Sequence, residues 1–244
     1  MWTYPRVLAH RGGGRLAPEN TLAALRCGLA HGFRAVEFDV MAVRDGGLVL
    51  MHDTQLGRTV AGSGAVADYS AAALMQMDAG AWFAPSFAGE RVPGFAQAAG
   101  FCLQHGLWMN VEIKPAPGLE SLTGELVARA CQSLPAGAVL LSSFSVAALR
   151  AAQSAAPAVP RALLLEQVPA DWHAQLLALD AQALHTDATT LTAQDAAAIK
   201  EAGYGLFCYT VNDPLQARAL LAMGVDAFCT DRLDLIGADF CQSA

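Results

Sequence analysis

The sequence predicts an α/β fold, a TIM (β/α)8 barrel with a small insertion subdomain after the hairpin of its second strand. Three observations predict it. Strand-like and helix-like periods alternate along the whole chain. A length of 244 residues suits one such barrel with one insertion better than two compact domains. Residues able to do chemistry gather at the C-terminal ends of the strands, where barrels of this class carry their active sites. Residues 1–244 are therefore read as a single domain, with the insertion at about 54–93.

The first strand is Val7-Leu8-Ala9-His10. A glycine run follows, and Pro18-Glu19-Asn20-Thr21 then opens a helix whose Leu22, Leu25 and Leu29 share one face and which Gly32 closes. The stretch from Ala35 to Asp53 organises the rest. In Ala35-Val36-Glu37-Phe38-Asp39-Val40, alternation projects Glu37 and Asp39 from one face and Val36, Phe38 and Val40 from the other. Leu48 to Asp53 is strand-like too, and the Asp45-Gly46-Gly47 turn signal between the halves leaves no room for a parallel crossover. The two halves form a hairpin. A turn centred on Asp45-Gly46 sets His52 opposite Asp39, and a turn one residue later sets it opposite Met41; both return the imidazole to the acids.

The segment from Thr54 to Pro93 is irregular and glycine-rich, carries Trp82, Phe83 and Phe87, and reads as a small subdomain. Phe95 to His105 reads as a helix, and Trp108 to Lys114 as a strand with Asn110, Glu112 and Lys114 on one face. Further strands are expected at Val139 to Leu141, Arg161 to Leu165, Gln182 to His185, Gly205 to Val211 and Asp226 to Cys229. Helices are expected near Leu119 to Ser133, Val146 to Ala155, Asp171 to Leu179, Ala193 to Ala202 and Pro214 to Met223. With the hairpin counted as an elaboration of the second strand, eight βα units remain and imply a closed barrel. His10, Glu37, Asp39, Glu112, Lys114, Ser142-Ser143-Phe144, His185, Tyr209 to Asn212 and Thr230-Asp231 then share one rim.

Composition limits what that rim can serve. The hydrophobic fraction is 54% and the mean hydropathy +0.34, yet no apolar run approaches the roughly 18 residues of a membrane span. Met1 to Arg6 lead straight into the first strand, without the pattern of a secretion signal, so the expected location is the cytoplasm. A net charge of −7 without a Lys/Arg run argues against nucleic acid and against anionic membranes. A small-molecule substrate is expected, and the sequence is compatible with a homodimer. The six cysteines include no Cys-x-x-Cys pair and lie mostly in apolar periodic segments, as reduced buried thiols do.

Glu37, Asp39 and Glu112 are three hard oxygen ligands, a set suited to one divalent cation, Mg²⁺ or Ca²⁺. The competing reading pairs them with Arg11 and Lys114 as a buried ion network. His10 and His52 supply two groups that exchange protons near neutral pH, as displacement at an ester phosphorus requires. Tyr209 is expected to contact substrate. His31 and His105 sit at helix C-termini, where a cation suits the dipole, and are read as structural. His173 is read as a solvated helix residue. His185 is read at a strand's C-terminal end, in reach of the pocket. Trp82 and Phe83 are read equally as a lid and as the insertion's own core.

These motifs, taken in order, resemble the glycerophosphodiester phosphodiesterases: His10-Arg11-Gly12, Pro18-Glu19-Asn20-Thr21, Glu37-x-Asp39, the Asp45-Gly46 turn, His52-Asp53, Val111-Glu112-Ile113-Lys114, Ser142-Ser143-Phe144, Tyr209-Thr210-Val211-Asn212 and Thr230-Asp231-Arg232. The insertion takes part, with Gly62-x-Gly64, Asp78-Ala79-Gly80 and Trp82-Phe83 resembling that of bacterial, cytoplasmic members. The resemblance implies hydrolysis of deacylated phospholipids to sn-glycerol 3-phosphate and an alcohol. It also implies that His10 and His52 are the acid/base pair, that Glu37, Asp39 and Glu112 bind the cation, and that Arg11 and Lys114 contact the phosphate. Leu233 departs from the proline that many members have at this position. The rival functions are a phospholipase of the sphingomyelinase D or phosphatidylinositol-specific type and a non-catalytic phosphodiester-binding protein. The alcohol, the choice between Mg²⁺ and Ca²⁺, the order of the two histidines, and direct water attack versus a cyclic phosphate stay open.

Overall fold

The computed structural model describes residues 2–242. Its elements are β1 Val7–Ala9, α1 Leu22–Ala30, β2 Ala35–Ala42, β3 Leu48–Leu50, α2 Ala71–Leu74, α3 Phe95–Gln104, β4 Trp108–Ile113, α4 Glu120–Gln132, β5 Val139–Ser143, α5 Val146–Ala155, β6 Arg161–Leu165, α6 Trp172–Ala178, β7 Ala183–Asp187, α7 Ala193–Glu201, β8 Gly205–Tyr209, α8 Pro214–Ala222 and β9 Ala227–Thr230. All but β3 run parallel to their neighbours, and β1 pairs with both β9 and β2, which closes an eight-stranded barrel. None of the described helices is long and apolar enough to cross a membrane.

Strand alternation sorts the side chains by destination. Val36, Phe38 and Val40 enter the core between barrel and helices, whereas Ala35 joins Trp108, Leu140, Ala162 and Ala183 in the barrel's interior layer. Glu37 and Asp39 follow Ala35 on the interior face, one and two steps nearer the C-terminal end. Trp2 and Tyr4 fill the other end: Tyr4 stacks on Trp108 at 4.6 Å and Trp2 on Phe207 at 6.0 Å. That plug leaves the strands' C-terminal ends to hold the cavity. Side chains such as Phe33, Phe38 and Leu25 are essentially fully buried, and each such burial stabilises by about 1.5–3 kcal/mol.

The helices begin where the sequence offers caps. Thr21, Ser145 and Thr192 each accept a backbone N–H three residues on at 3.1 Å, and each cap contributes about 1 kcal/mol. Helices α4 and α5 lie against each other so closely that a Cβ on Gly124 would stand 2.1 Å from the Ala148 carbonyl oxygen.

Three elements differ from the sequence-based expectation. The hairpin pairs Val40 with Leu50, Met41 with Val49 and Ala42 with Leu48, so it is Met51 whose N–H donates to the Asp39 carbonyl, at 3.2 Å; neither expected partner of His52 is realised. The reason is a three-residue loop in which Gly46, at φ 76°, takes the left-handed position that closes such hairpins. The first strand ends at Ala9, and His10 opens a tight 3-10 turn, His10–Gly12. Among the described residues the last strand is followed by a 3-10 turn, Phe240–Gln242, and not by an eighth barrel helix.

Between β3 and α3 the chain builds a second apolar cluster in which Leu56, Val60, Val66, Leu74 and Val92 pack on Met41, Val49 and Met51 of the hairpin. The segment therefore leans on the hairpin's outer end for its core. Trp82, Phe83 and Phe87 are not among its buried residues; they form an edge-to-face series with centroids 5.6 and 5.5 Å apart, and Trp82 is 42% exposed.

Candidate active site

Parallel pairing of β2 with β4 sets Asp39 beside Glu112 and Glu37 beside Asn110. As a result, one oxygen from each of Glu37, Asp39 and Glu112 lies within 4.8 Å of the others. Three carboxylates this close and this buried cannot all be charged without a counter-cation. Burial, with the Asp39 charge added, pushes Glu37 up to about 7 and Glu112 up to about 8. Burial pushes Asp39 upward as well, but Arg11, His52, Lys114 and the Asn20 amide outweigh it and hold it below the usual carboxylate range. Asp39 is the anion about which the cluster is built.

Its supports come from the loop after β1. Asn20, itself in the left-handed region at φ 56°, donates to Asp39 Oδ2 at 2.8 Å and accepts the Asp39 N–H at 3.1 Å. Arg11, at φ 50°, is turned so that its own N–H donates to Glu37 Oε2 at 3.0 Å, while its guanidinium reaches Glu19 at 2.7 Å and Asp39 at 3.6 Å. Lys114 closes the other side, 2.9 Å from Glu112 and 3.9 Å from Asp39. The ion network weighed against a metal site is thus present, but two cations face three clustered acids and Glu19 takes part of the Arg11 charge.

The two histidines are held alike. His10 Nδ1 lies 2.6 Å from Asp231 Oδ1, and Asn212 fixes that carboxylate by donating to Oδ2 at 2.9 Å and accepting the Asp231 N–H at 2.7 Å. His52 Nδ1 lies 2.8 Å from Asp53 Oδ1, and Arg58 grips the same carboxylate at 2.6 and 3.0 Å. Each ring is tied at Nδ1, and the Nε2 of His10 is 3.8 Å from Glu37. Burial pushes His10 down, but Asp231 and Glu37 outweigh it and leave the imidazole above its ordinary value. Burial pushes Asp231 up, and the His10 bond and charge bring it down to about 2.

Of these groups, His10, Arg11, Glu37, His52, Glu112 and Lys114 border one cavity of about 420 Å³, which also reaches Tyr209 and Phe144. The Tyr209 hydroxyl donates to the Leu165 carbonyl at 3.1 Å, so the ring, set edge-on to Phe144 at 5.6 Å, is what this residue offers a ligand. Trp82 and Phe83 instead wall a neighbouring cavity of about 350 Å³ that shares His10 and Arg11. Ser143 turns away and donates to the Ile113 carbonyl at 2.7 Å. His185 is not at a strand end: it sits mid-strand in β7, fully buried, with its ring 4.4 Å from that of Phe207. Leu233 is buried in the main core.

All eight residues assigned from sequence, His10, Arg11, Glu37, Asp39, His52, Glu112, Lys114 and Tyr209, come together at this mouth. The sequence reading gave no roles to Asp231, Asp53, Asn20, Glu19, Arg58 and Asn212. Adjacency to His52 was a signal for Asp53, and the helix-opening Pro-Glu-Asn-Thr was one for Glu19 and Asn20. Arg58 lies in the irregular insertion and carries no local signal.

Comparison with known proteins identifies the chain's relatives. The model of the glycerophosphoryl diester phosphodiesterase family matches residues 10–235. A glycerophosphodiester phosphodiesterase of Caldanaerobacter subterraneus subsp. tengcongensis is 31% identical over 92% of this chain and 93% of its own. A phosphodiesterase of Oleispira antarctica, solved with the product sn-glycerol-3-phosphate, superposes with a TM-score of 0.91 at 34% identity, covering 98% of this chain and 96% of that one. A glycerophosphodiester phosphodiesterase of Agrobacterium tumefaciens superposes with a TM-score of 0.78 at 27% identity, covering 95% of this chain and 98% of that one.

Proposed function

The chain belongs to the glycerophosphoryl diester phosphodiesterase family, and we propose that it hydrolyses glycerophosphodiesters to sn-glycerol 3-phosphate and an alcohol by proton transfer between His10 and His52. The observation that carries the proton-transfer reading is their matched restraint. Each imidazole gives Nδ1 to a carboxylate, Asp231 or Asp53, and keeps Nε2 for a reacting group. One removes the proton of the nucleophile and the other protonates the departing alkoxide, which is what displacement at a phosphodiester needs on its two sides.

The donor set of Glu37, Asp39 and Glu112 fits a hard divalent cation, Mg²⁺ or Ca²⁺: all three donors are carboxylates, they lie close together, and two of them are pushed up by burial and by the Asp39 charge. When bound, that cation supplies Lewis acidity and charge neutralisation at the phosphate. The chain's own cations add to this. Arg11 keeps guanidinium N–H groups beyond the one given to Glu19, and Lys114 keeps two of its three donors, so both can take phosphate oxygens and offset the charge that grows on them. Tyr209 and Phe144 provide apolar ring surface above.

The same pair of histidines serves attack by the glycerol 2-hydroxyl, through a cyclic phosphate that water opens, and direct attack by water; phosphorus NMR during turnover separates the two routes. We place the enzyme in the cytoplasm, a reading supported by six free cysteines, four of them buried. The decisive test is a coupled assay for glycerol 3-phosphate released from glycerophosphocholine. Absence of release with added Mg²⁺ and with added Ca²⁺ would overturn the proposal.

A further inference from the structure

Beneath the carboxylates, the barrel's inner face carries two polar side chains to which the mechanism assigns no role. Asn110 is the ladder neighbour of Glu37 and precedes Glu112 by two residues on β4, so it points to the same interior one step deeper than Glu112. His185 lies mid-strand on β7. Both border the main cavity, yet they are only 2% and 0% exposed. Among the described residues, the Asn110 side-chain oxygen and both His185 ring nitrogens have no hydrogen-bond partner. Buried polar groups are rarely left so, and these three face one cavity from β4 and β7, strands that β5 and β6 separate.

The chemistry of these two side chains is specific. Burial pushes His185 down to about 3, so its ring is neutral and offers one N–H donor and one bare acceptor. Asn110 adds an amide that both donates and accepts. Around them stand Leu164, Phe207 and Cys229, which are apolar and uncharged. A surface of neutral donors and acceptors set among apolar side chains matches hydroxyl groups on a short carbon chain. We infer that Asn110 and His185 form a hydroxyl-binding floor for the terminal hydroxymethyl group of the substrate's glycerol moiety. The diester then enters glycerol first, with its phosphate at the level of Arg11, Lys114 and the two histidines, and its alcohol faces the rim at Phe144 and Tyr209. The invariant half of the substrate is read at depth and the variable half at the opening. This rests on the reading of the barrel mouth as the phosphodiester site.

The test compares glycerophosphocholine with 2-hydroxyethyl phosphocholine, which keeps the phosphate, the choline and a hydroxyl on the second carbon but lacks the hydroxymethyl group. The wild-type enzyme should prefer the glycerol diester by at least about 10-fold in kcat/KM. Asn110→Leu and His185→Phe should each reduce that ratio several-fold, chiefly through KM for the glycerol diester, and the double variant should bring it close to one. His185→Phe replaces a buried ring that lacks a partner with an apolar ring, so its unfolding temperature should equal or exceed that of the wild type, which separates loss of recognition from loss of fold. A wild-type enzyme that hydrolyses glycerophosphocholine but treats the two diesters alike overturns the floor and leaves the activity standing. So do folded variants that keep the full preference. A wild-type enzyme that hydrolyses neither diester overturns the activity, and the floor with it.

Discussion

Arg58 donates to both carboxylate oxygens of Glu19, at 2.7 and 2.8 Å, and so ties the insertion to the loop that opens the first barrel helix. Glu19 also accepts from Arg11, and Arg58 also grips Asp53, the carboxylate behind His52. One line of charges therefore runs from His52 through Asp53, Arg58, Glu19 and Arg11 to Asp39. Arg58→Ala should free Asp53 and let the His52 ring turn, lowering kcat by about 10- to 100-fold with a smaller change in KM. Arg58→Lys, which cannot bridge two carboxylates in fork geometry, should recover only part of the loss. Wild-type kcat in Arg58→Ala would show that the insertion does not position His52.

Asp231 sets the charge state of His10. With Asp231→Asn, two of the three influences that raise His10 are lost and only the Glu37 charge remains, so the limb of the kcat/KM–pH profile that His10 controls should move to lower pH while the other limb stays. If the acid limb moves, His10 is the base; if the alkaline limb moves, it is the acid. A profile with both limbs unmoved would disconnect His10 from catalysis.

The same carboxylate makes a claim about stability. Asp231 is lowered from 3.8 to about 2 in the folded protein, so its contribution is fully present above the unfolded value and is lost as pH falls through about 2. The size at neutral pH is on the order of 2 kcal/mol. Urea midpoints of wild type and Asp231→Asn should therefore converge between about pH 4 and 2. A constant gap across that window would contradict the assignment.

Metal removal should abolish turnover, and Glu37→Ala, Asp39→Ala and Glu112→Ala should each reduce kcat by orders of magnitude. The metal-free protein should also carry a specific pH signature. Glu37 and Glu112 are raised from 4.5 to about 7 and about 8, so the folded state binds more protons than the unfolded one between those limits. Stability of the metal-free protein should then fall as pH rises from about 4.5 to about 8, and saturating Mg²⁺ or Ca²⁺ should remove the slope. Undiminished activity after exhaustive chelation would eliminate the metal site.

Substrate choice separates this enzyme from a lipase. A chain of net charge −7 has little attraction for an anionic surface, where each nearby Lys or Arg would add about 1 kcal/mol. Glycerophosphocholine, glycerophosphoethanolamine and glycerophosphoglycerol should all be hydrolysed, and intact phosphatidylcholine vesicles should not. Faster cleavage of vesicle lipid than of the deacylated diester at matched concentration would favour the phospholipase reading.

The sequence by itself determined the barrel and most of its chemistry. Strand and helix periods are local, so β6 and α5 appear in the structure with the boundaries read from the chain. Glu37 and Asp39 announce a shared face because alternate strand residues must point the same way. What the tertiary structure alone decided is which groups meet across the closure. His10 and Asp231 are 221 residues apart and touch only because β1 pairs with β9 as the barrel closes. The left-handed Gly46 shifted the hairpin, so that Met51 and not His52 faces Asp39. His185 reads as a rim residue when strand ends are guessed from periodicity, and only the register of β7 with β8 shows it deep beside Phe207. Arg58 sits in a segment without period, where nothing local specifies a partner. Its hold on Asp53 and Glu19 exists because the insertion packs on the hairpin and delivers a guanidinium to carboxylates that the barrel has already placed.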